Sequence, residues 1–319
     1  MEEYHFAFGV DANYVKYAGV VMTSIVLRHI GRPVCFHLLC DGVPQPEDQA
    51  RLDDFTRLYK NTRIFIYDAH ETLVKLPDLA GAAPERLNKT VFLRILMPML
   101  VPRELARIIY LDADTLCVGD VDALWRMDLD GHPLAAVSED EEEKSAKRLQ
   151  LSQGRYLSAG FMVIDLAAWR AQHLTEKVLE VYQKYGKDCP LLEQDSLNKV
   201  LDGDFCALTK QQICLMDAFN PLMIKISQEN IFWHFLNEGK PWIRYADEQA
   251  AAPWWSVARR SLWYDLEPTE PWEARIALLA GRNAERRGQY QDAARYLGAA
   301  ASRLMEFYLE KTGQRPPMV

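Results

Sequence analysis

The chain has 319 residues, of which 49% are hydrophobic and 26% are charged, a composition typical of a folded globular protein and not of a disordered or fibrous one. Its 37 Lys and Arg residues against 45 Asp and Glu give a formal net charge of −8. An acidic balance repels a phosphate backbone, which argues against nucleic acid as a partner. The length is enough for one large domain or two ordinary ones.

The N-terminal residues lack the basic and apolar regions of a secretory signal, and no apolar run reaches the ~18 residues that a membrane span needs. The six cysteines are scattered and form no CxxC pair. They predict buried thiols in a reducing compartment rather than a zinc site or a disulfide framework. We therefore expect a cytoplasmic protein.

The first hundred residues alternate predicted strands with predicted helices. Apolar runs predict strands at 4–10, 34–40 and 62–67, and helical patterns occupy 17–29 and 45–58. This alternation is typical of a parallel sheet with crossover helices, in which ligands bind beyond the carboxyl ends of the strands. The residues that directly follow each run are therefore candidate ligand-binding residues.

The second half of the chain predicts further strands and a helical end. Strands are expected at 107–111, 134–137 and 161–165, and a helix at 176–185. The charged run EDEEEK between them predicts mostly a solvated loop. Composition changes near residue 250, and beyond Pro271 the pattern predicts continuous helix. One face of that helix would carry Ala293, Leu297, Ala300, Leu304 and Phe307.

Two aspartates, Asp112 and Asp114, directly follow the predicted strand at 107–111. Carboxylates beside a buried strand are costly unless a cation compensates them, and oxygen ligands suit Mg²⁺ or Mn²⁺ bridged to substrate phosphates. Side chains alternate along a strand, so positions i and i+2 point the same way and both carboxylates can meet one ion. The alternative is that the aspartates only cap the following turn.

Five segments resemble motifs of the family 8 retaining glycosyltransferases, a group that includes bacterial lipopolysaccharide α-glucosyl- and α-galactosyltransferases and glycogenin. In chain order they are FGVDANY, YLDADTL, YLSAGFMVIDLAAWR, LLEQDSLN and WHFLNEGKPW, and the resemblance covers residues 4–243. It implies an α/β fold: a GT-A-like nucleotide-binding domain with a mainly parallel central sheet at 1–250, and a helical C-terminal extension at 251–319. It also implies retaining transfer of glucose or galactose from a UDP-sugar to a glycan acceptor such as the lipopolysaccharide core.

The resemblance assigns roles to individual residues. It makes Asp112, Asp114 and His234 the ligands of Mn²⁺ or Mg²⁺, which acts as a Lewis acid on the diphosphate. Gln194 and Asp195 would lie under the donor sugar as catalytic residues with Arg94. Nucleotide contacts are expected from Gly9, Asp11, Asn13, Tyr14, Ala113 and Lys240, and sugar contacts from Glu139 or Asp140, Ser158 and Glu193.

The Gln194 carbonyl would stabilise the oxocarbenium-like charge of the reacting sugar or act as a weak nucleophile. The other route is front-face attack on the sugar, helped by the leaving phosphate. Three positions depart from the family pattern: Ser158 replaces an Asn, Glu193 replaces an Asp, and Asn237 replaces a common Gly that Gly239 would compensate. Several residues also have purely structural interpretations. Asp11 and Asn13 suit a helix N-cap, and His234 suits a core position among aromatic residues.

Two other functions fit parts of the sequence. The string DADTL matches the DxDxT nucleophile loop of haloacid-dehalogenase-like phosphatases, although those enzymes carry it near the start of the chain. A nucleotide-sugar-binding protein with little or no transfer activity would also retain most of the motifs. In the C-terminal region, a membrane-contacting surface competes with simple helix packing. Its candidate residues are Trp254, Trp255, Arg259, Arg260 and Trp263.

Overall fold

A computed structural model describes residues 2–77, 88–139, 142–224 and 226–312. The chain divides into two compact units. Unit 1 comprises Met1–Cys214 and Ser227–His234, and unit 2 comprises Leu215–Ile226 and Phe235–Val319. The domain boundary predicted near residue 250 stays a prediction.

Unit 1 is built on a seven-stranded sheet with the strand order β3-β2-β1-β4-β7-β6-β8. The strands of the chain are β1 (Tyr4–Val10), β2 (Val34–Cys40), β3 (Thr62–Asp68), β4 (Arg107–Leu111), β5 (Thr115–Cys117), β6 (Leu134–Ser138), β7 (Leu157–Asp165), β8 (Cys206–Leu208), β9 (Ile213–Met216) and β10 (Phe232–Phe235). Strand β1 pairs in parallel with β2 and β4, β2 with β3, and β6 with β8, while β7 is antiparallel to β4 and β6.

The strand order places a topological switch point between β1 and β4. The chain runs outward from β1 to β2 and β3 and then returns to the other side of β1 as β4. Crossovers leave the sheet in opposite directions at such a point, which opens a crevice at the carboxyl ends of the two strands. Asp11 follows β1 and Asp112 follows β4, so both residues lie at this edge.

Helices cover the sheet of unit 1 and bury its apolar side chains. They are α1 (Val15–Arg28), α2 (Pro46–Leu58), α3 (His70–Val74), α4 (Leu93–Leu100), α5 (Asp122–Trp125), α6 (Glu142–Leu149), α7 (Leu166–Ala171), α8 (Leu174–Tyr185) and α9 (Leu192–Leu201). Helix α1 is nearly all buried, and its polar Thr23 and Ser24 donate to backbone carbonyls of the same helix. One core cluster joins Ala7 of β1 and Ile108 of β4 to residues of α4, α8 and α9.

Unit 2 contains the helices α10 (Glu248–Ala258), α11 (Ala274–Arg286) and α12 (Tyr290–Thr312). Trp254 is buried and packs on Trp242 with ring centroids 5.3 Å apart. Trp263 is also buried, so these two tryptophans follow the packing interpretation and not the membrane-surface one. None of the helices in the described part of the chain has the length and apolar character required to cross a bilayer.

The α/β fold with a mainly parallel sheet and C-terminal helices is confirmed, and the strands predicted at 4–10, 34–40 and 107–111 have the predicted bounds. Two details are wrong. Residues after Pro271 form two helices, because Gly288 adopts a left-handed φ of 72° and ends the first. The run EDEEEK is not mostly loop, since α6 begins at Glu142. The five residues predicted to share one helix face all lie in α12, where Ala293 and Ala300 are buried and Leu304 and Phe307 are exposed.

Candidate active site

Three potential metal ligands meet at the carboxyl edge of the sheet. Nε2 of His234 lies 3.3 Å from Oδ1 of Asp114 and 3.8 Å from Oδ2 of Asp112. Each of the three residues offers one ligand atom within 4.8 Å of the others. Two carboxylates and an imidazole suit Mn²⁺ or Mg²⁺, so the predicted ligands fit a divalent ion.

The pairing of β5 with β10 brings His234 to the aspartates across 120 residues of sequence. The two strands are antiparallel, with His234 opposite Thr115, the residue that follows Asp114. Gly160 of β7 leaves the space for this arrangement. A Cβ atom at Gly160 would lie 2.2 Å from Cε1 of His234 and 2.5 Å from Oδ2 of Asp112, so a larger residue would occupy the position of the cluster.

Arg94 of α4 contacts this cluster through Asp112. Its Nη2 donates to Oδ1 and Oδ2 of Asp112 at 2.8 and 3.0 Å, and its Nη1 lies 3.2 Å from Oε1 of Glu193. Burial lowers the pKa of the Arg94 guanidinium, but Asp112, Tyr110 and Glu193 together outweigh burial and raise that pKa. Burial raises the pKa of Glu193 to about 7, and the Arg94 charge only partly offsets it. Arg94 is therefore buried and charged, unlike a solvated surface arginine.

Gln194 of α9 is fixed by hydrogen bonds at both ends of its amide. Its Oε1 accepts from the backbone N–H of Ala159 at 2.9 Å. Its Nε2 donates to Oε1 of Glu139 at 2.7 Å and to the hydroxyl of Tyr156 at 3.0 Å. Burial raises the pKa of Glu139. The amide thus has one orientation. Ser158 of β7, the residue before Ala159, is buried. Asp140 lies outside the described residues.

Asp195, the neighbour of Gln194, is fully buried, and both of its oxygens are engaged. The guanidinium of Arg148 donates to both oxygens at 2.8 and 2.9 Å. The Tyr156 hydroxyl donates at 2.7 Å and the backbone N–H of Leu191 at 2.9 Å. These contacts tie α6 and β7 to the start of α9, so Asp195 holds the segment that carries Gln194.

The residues predicted to contact the nucleotide lie at the ends of β1 and β4. Oδ1 of Asp11 accepts from the backbone N–H groups of Asn13 and Tyr14 at 2.8 and 3.1 Å, within the turn that precedes α1. The N-cap of α1 is Tyr14, so neither Asp11 nor Asn13 takes the N-cap position of the structural interpretation. Tyr14 remains 38% exposed, while Ala113 is buried between the two aspartates. A Cβ atom at Gly9 would lie 2.9 Å from the Tyr110 hydroxyl, so glycine is required by packing.

Lys240 belongs to unit 2, where its Nζ donates to the backbone carbonyl of Phe235 at 2.6 Å. The backbone conformation of the preceding loop explains why Asn237 can replace the glycine of the family pattern. This residue has a left-handed φ of 55°, a conformation that asparagine tolerates better than most non-glycine residues. Gly239 is required as well, since a Cβ atom there would lie 1.7 Å from Oδ1 of Asp217.

Sequence reasoning missed three residues that support the site. Tyr110 donates to Oδ1 of Asp112 at 3.2 Å, and Tyr156 and Arg148 hold Asp195. The two tyrosines are the first residues of the motifs YLDADTL and YLSAGFMVIDLAAWR, which is a signal in the sequence. Arg148 lies in a charged segment that looks solvated, and only the fold reveals its role.

The chain is similar to known glycosyltransferases. The model of Glycosyl transferase family 8 matches residues 5–246. Lipopolysaccharide 1,2-glucosyltransferase of Escherichia coli (strain K12) is 28% identical over 281 residues, covering 83% of this chain and 80% of that protein. Lipopolysaccharide 1,3-galactosyltransferase of Salmonella typhimurium is 26% identical over 258 residues, covering 76% and 73%.

Among solved structures, the galactosyltransferase LgtC in complex with donor and acceptor sugar analogues has a TM-score of 0.68. It is 20% identical, and the match covers 81% of this chain and 96% of that one. This likeness concerns the fold and confirms the GT-A-like architecture. With the family match spanning 242 of 319 residues, from 5 to 246, the chain belongs to glycosyl transferase family 8.

Proposed function

We propose that this protein moves glucose or galactose, with retention, from a UDP-sugar to a glycan acceptor such as the lipopolysaccharide core. The observation that carries the proposal is the convergence of Asp112, Asp114 and His234 at the switch point of a GT-A-like sheet. The similarity to lipopolysaccharide glucosyl- and galactosyltransferases supports the class of sugar and acceptor. Family membership also favours transfer over the phosphatase alternative.

Asp112, Asp114 and His234 would hold Mn²⁺ or Mg²⁺ in this proposal. The bound ion supplies charge neutralisation for the leaving diphosphate. Arg94 fixes the Asp112 carboxylate from one side, and Tyr110 donates to the same carboxylate. Preorganised ligands of this kind cost no reorganisation during the reaction.

Gln194 would face the reacting sugar carbon. The hydrogen bonds of its amide to Ala159 and Glu139 hold the side chain in place before substrate binds. The Oε1 atom of Gln194, fixed in this way, would stabilise the oxocarbenium-like charge by its position or attack the sugar carbon as a weak nucleophile. Front-face attack by the glycan acceptor is the other route. Asp195 would act as a positioning residue, because its oxygens are already bonded to Arg148 and Tyr156.

The remaining predicted contacts belong to the same proposal. Glu139, Ser158 and Glu193 would contact the sugar. Asp11, Asn13 and Tyr14 would contact the nucleoside, and Lys240 the phosphates. A cytoplasmic location is supported by six free cysteines, five of them buried. The burial of Trp254 and Trp263 argues against membrane contact through these two residues of the C-terminal region.

One experiment tests the function directly. The protein is incubated with Mn²⁺ and a panel of UDP-sugars, with and without glycan acceptors, and release of UDP is followed. We expect release with UDP-glucose or UDP-galactose, stimulated by acceptor and abolished by EDTA. Tight metal-dependent UDP binding with no turnover on any acceptor would favour the binding-protein alternative. Hydrolysis of a generic phosphomonoester would favour the phosphatase.

The predicted boundary near residue 250 is tested by a chain that ends at Asp265. The truncation removes Arg275, which contacts buried Asp217 at 2.6 Å, and Asn283, which donates to the Tyr245 carbonyl. We expect UDP binding with Mn²⁺ to persist while the melting temperature falls, since these contacts stabilise unit 2. A folded truncated chain that binds no UDP would show that the boundary is misplaced.

A further inference from the structure

Three side chains with metal-ligating atoms meet at the end of the sheet remote from the carboxyl edge. They are His5 of β1 and Cys35 and His37 of β2. In the parallel register His5 is opposite Cys35, and Ala7 is opposite His37. Alternation along each strand therefore directs all three side chains to one face of the sheet. The described mechanism uses none of them.

The separations of the ligand atoms suit a small tetrahedral ion. Nδ1 of His5 lies 3.0 Å from Nε2 of His37, and Sγ of Cys35 lies 3.5 Å from the same Nε2. The three ligand atoms all lie within 4.8 Å of one another. A tetrahedral Zn²⁺ with usual bond lengths separates two nitrogens by about 3.4 Å and a nitrogen from a sulfur by about 3.6 Å. Small side-chain shifts would therefore accommodate the ion.

The outer nitrogens of both rings have oxygen partners. The Tyr67 hydroxyl lies 2.8 Å from Nδ1 of His37, and a Glu3 carboxylate oxygen lies 3.4 Å from Nε2 of His5. With protons on the outer nitrogens, donated to these oxygens, a metal can take the place of the hydrogen bond that joins Nδ1 of His5 to Nε2 of His37. Partners of this kind orient metal-binding histidines in known sites.

The environment of the cluster also fits a metal. Burial lowers the pKa of His37 to about 3 and lowers that of His5, so both rings are neutral at pH 7. Cys35 and His37 are buried, while the His5 side chain remains 17% exposed and gives the ion a way in. Burial raises the pKa of Cys35 to about 12, so the thiol keeps its proton until a cation replaces it.

We propose that His5, Cys35 and His37 form a Zn²⁺ site that joins β1 to β2, separate from the Mn²⁺ or Mg²⁺ site at the other end of the sheet. Thiolate and imidazole ligands favour zinc, whereas the carboxylates of the first site favour harder ions. On binding, the S–H bond of Cys35 breaks, a sulfur–zinc bond forms, and the proton passes to solvent. Three protein ligands leave the fourth position to water.

Cobalt(II) titration of the full chain tests this site, because a cysteine thiolate bound to Co²⁺ gives a near-ultraviolet charge-transfer band. Saturating Mg²⁺ is present to occupy the carboxylate site. We expect one such band per chain, displaced by Zn²⁺ and absent in Cys35→Ala. Cys40→Ala is the matched control, since Cys40 is a buried thiol of the same strand on the opposite face. The band should persist in that control and in Asp114→Asn.

Two further variants keep the test decisive if Cys35→Ala does not fold. His5→Gln changes a half-buried ligand, and Tyr67→Phe removes only the orienting hydroxyl. We expect Co²⁺ affinity to fall by ~10-fold or more in Tyr67→Phe, the usual range for loss of an orienting group, and by more in His5→Gln, which loses a ligand. UDP binding with Mn²⁺ should be unchanged, since both residues lie away from that site. Absence of the band in the original chain, or its persistence in Cys35→Ala, would overturn the proposal.

Discussion

Unit 1 contains a first carboxylate cluster around Asp195 and a second one at Asp112 and Asp114, and the two differ in how protein groups balance the carboxylate charge. Asp195 accepts hydrogen bonds from Arg148, Tyr156 and a backbone N–H, so protein groups compensate it fully. Asp112 and Asp114 instead converge on one imidazole, with Arg94 as the cation that contacts Asp112. Buried charge is costly unless it is paired. Asp195 is therefore compensated by hydrogen bonds within the protein, whereas Asp112, Asp114 and His234 present a group of ligand atoms that could hold a metal ion.

Asp114→Asn gives the largest expected effect and tests the second cluster. The change keeps the side-chain shape but removes a charge, so we expect UDP-sugar turnover to fall by several orders of magnitude, at ~1.4 kcal/mol per tenfold. UDP binding is measured by calorimetry with Mn²⁺ and with EDTA, and exposed Asp188→Asn is the control. Equal UDP affinity in both proteins under both conditions would mean that no metal links these carboxylates to the nucleotide.

Asp195→Ala tests the first cluster through stability. The variant leaves Arg148 and the Tyr156 hydroxyl without their carboxylate, and breaking a buried ion pair costs about 3 kcal/mol at the lower end of the usual range. The lower end applies because the Arg148 side chain is 35% exposed. Urea unfolding measures the loss, with Asp188→Ala as control. If the two variants are equally stable, Asp195 has no structural role.

Gln194→Ala tests the residue beside the compensated carboxylate. We expect kcat to fall by at least about tenfold, equivalent to ~1.4 kcal/mol of transition-state stabilisation, with little change in UDP affinity. Exposed Gln183→Ala is the matched control, and the melting temperature reports the loss of the contact with Ala159. Unchanged kcat would remove Gln194 from the mechanism, and equal losses of UDP affinity and kcat would indicate a binding role.

Glu193, which contacts Arg94 and lies two residues before Asp195, gives the smallest expected effect, a pH dependence of the stability of the folded chain. Burial raises its pKa from 4.5 to about 7, so the folded chain binds more protons than the unfolded chain between these values. Its contribution to stability is complete below pH 4.5 and is lost as pH rises through 7. We expect Glu193→Gln to flatten the dependence of melting temperature on pH from 5 to 8, measured in EDTA. Parallel curves for the two proteins would contradict the raised pKa.

Much of the fold could be predicted from local sequence patterns. The runs YHFAFGV, VCFHLLC and RIIYL became β1, β2 and β4 with the predicted bounds, because buried strands require continuous apolar residues. The juxtaposition of Asp112 and Asp114 was also predictable, since they directly follow a strand and alternation aligns them. The family resemblance supplied His234, which local patterns alone would have left in the core.

Local patterns and motifs in the sequence were enough to predict most of the elements, the carboxyl-edge aspartates and the family. The contacts between distant side chains became known from the fold: Arg94 with Asp112, Arg148 with Asp195, and His5 with Cys35 and His37. The scattered cysteines argued against zinc, yet strand pairing places Cys35 beside two histidines. Local patterns report which face of an element is buried, whereas contacts between elements depend on strand order and register.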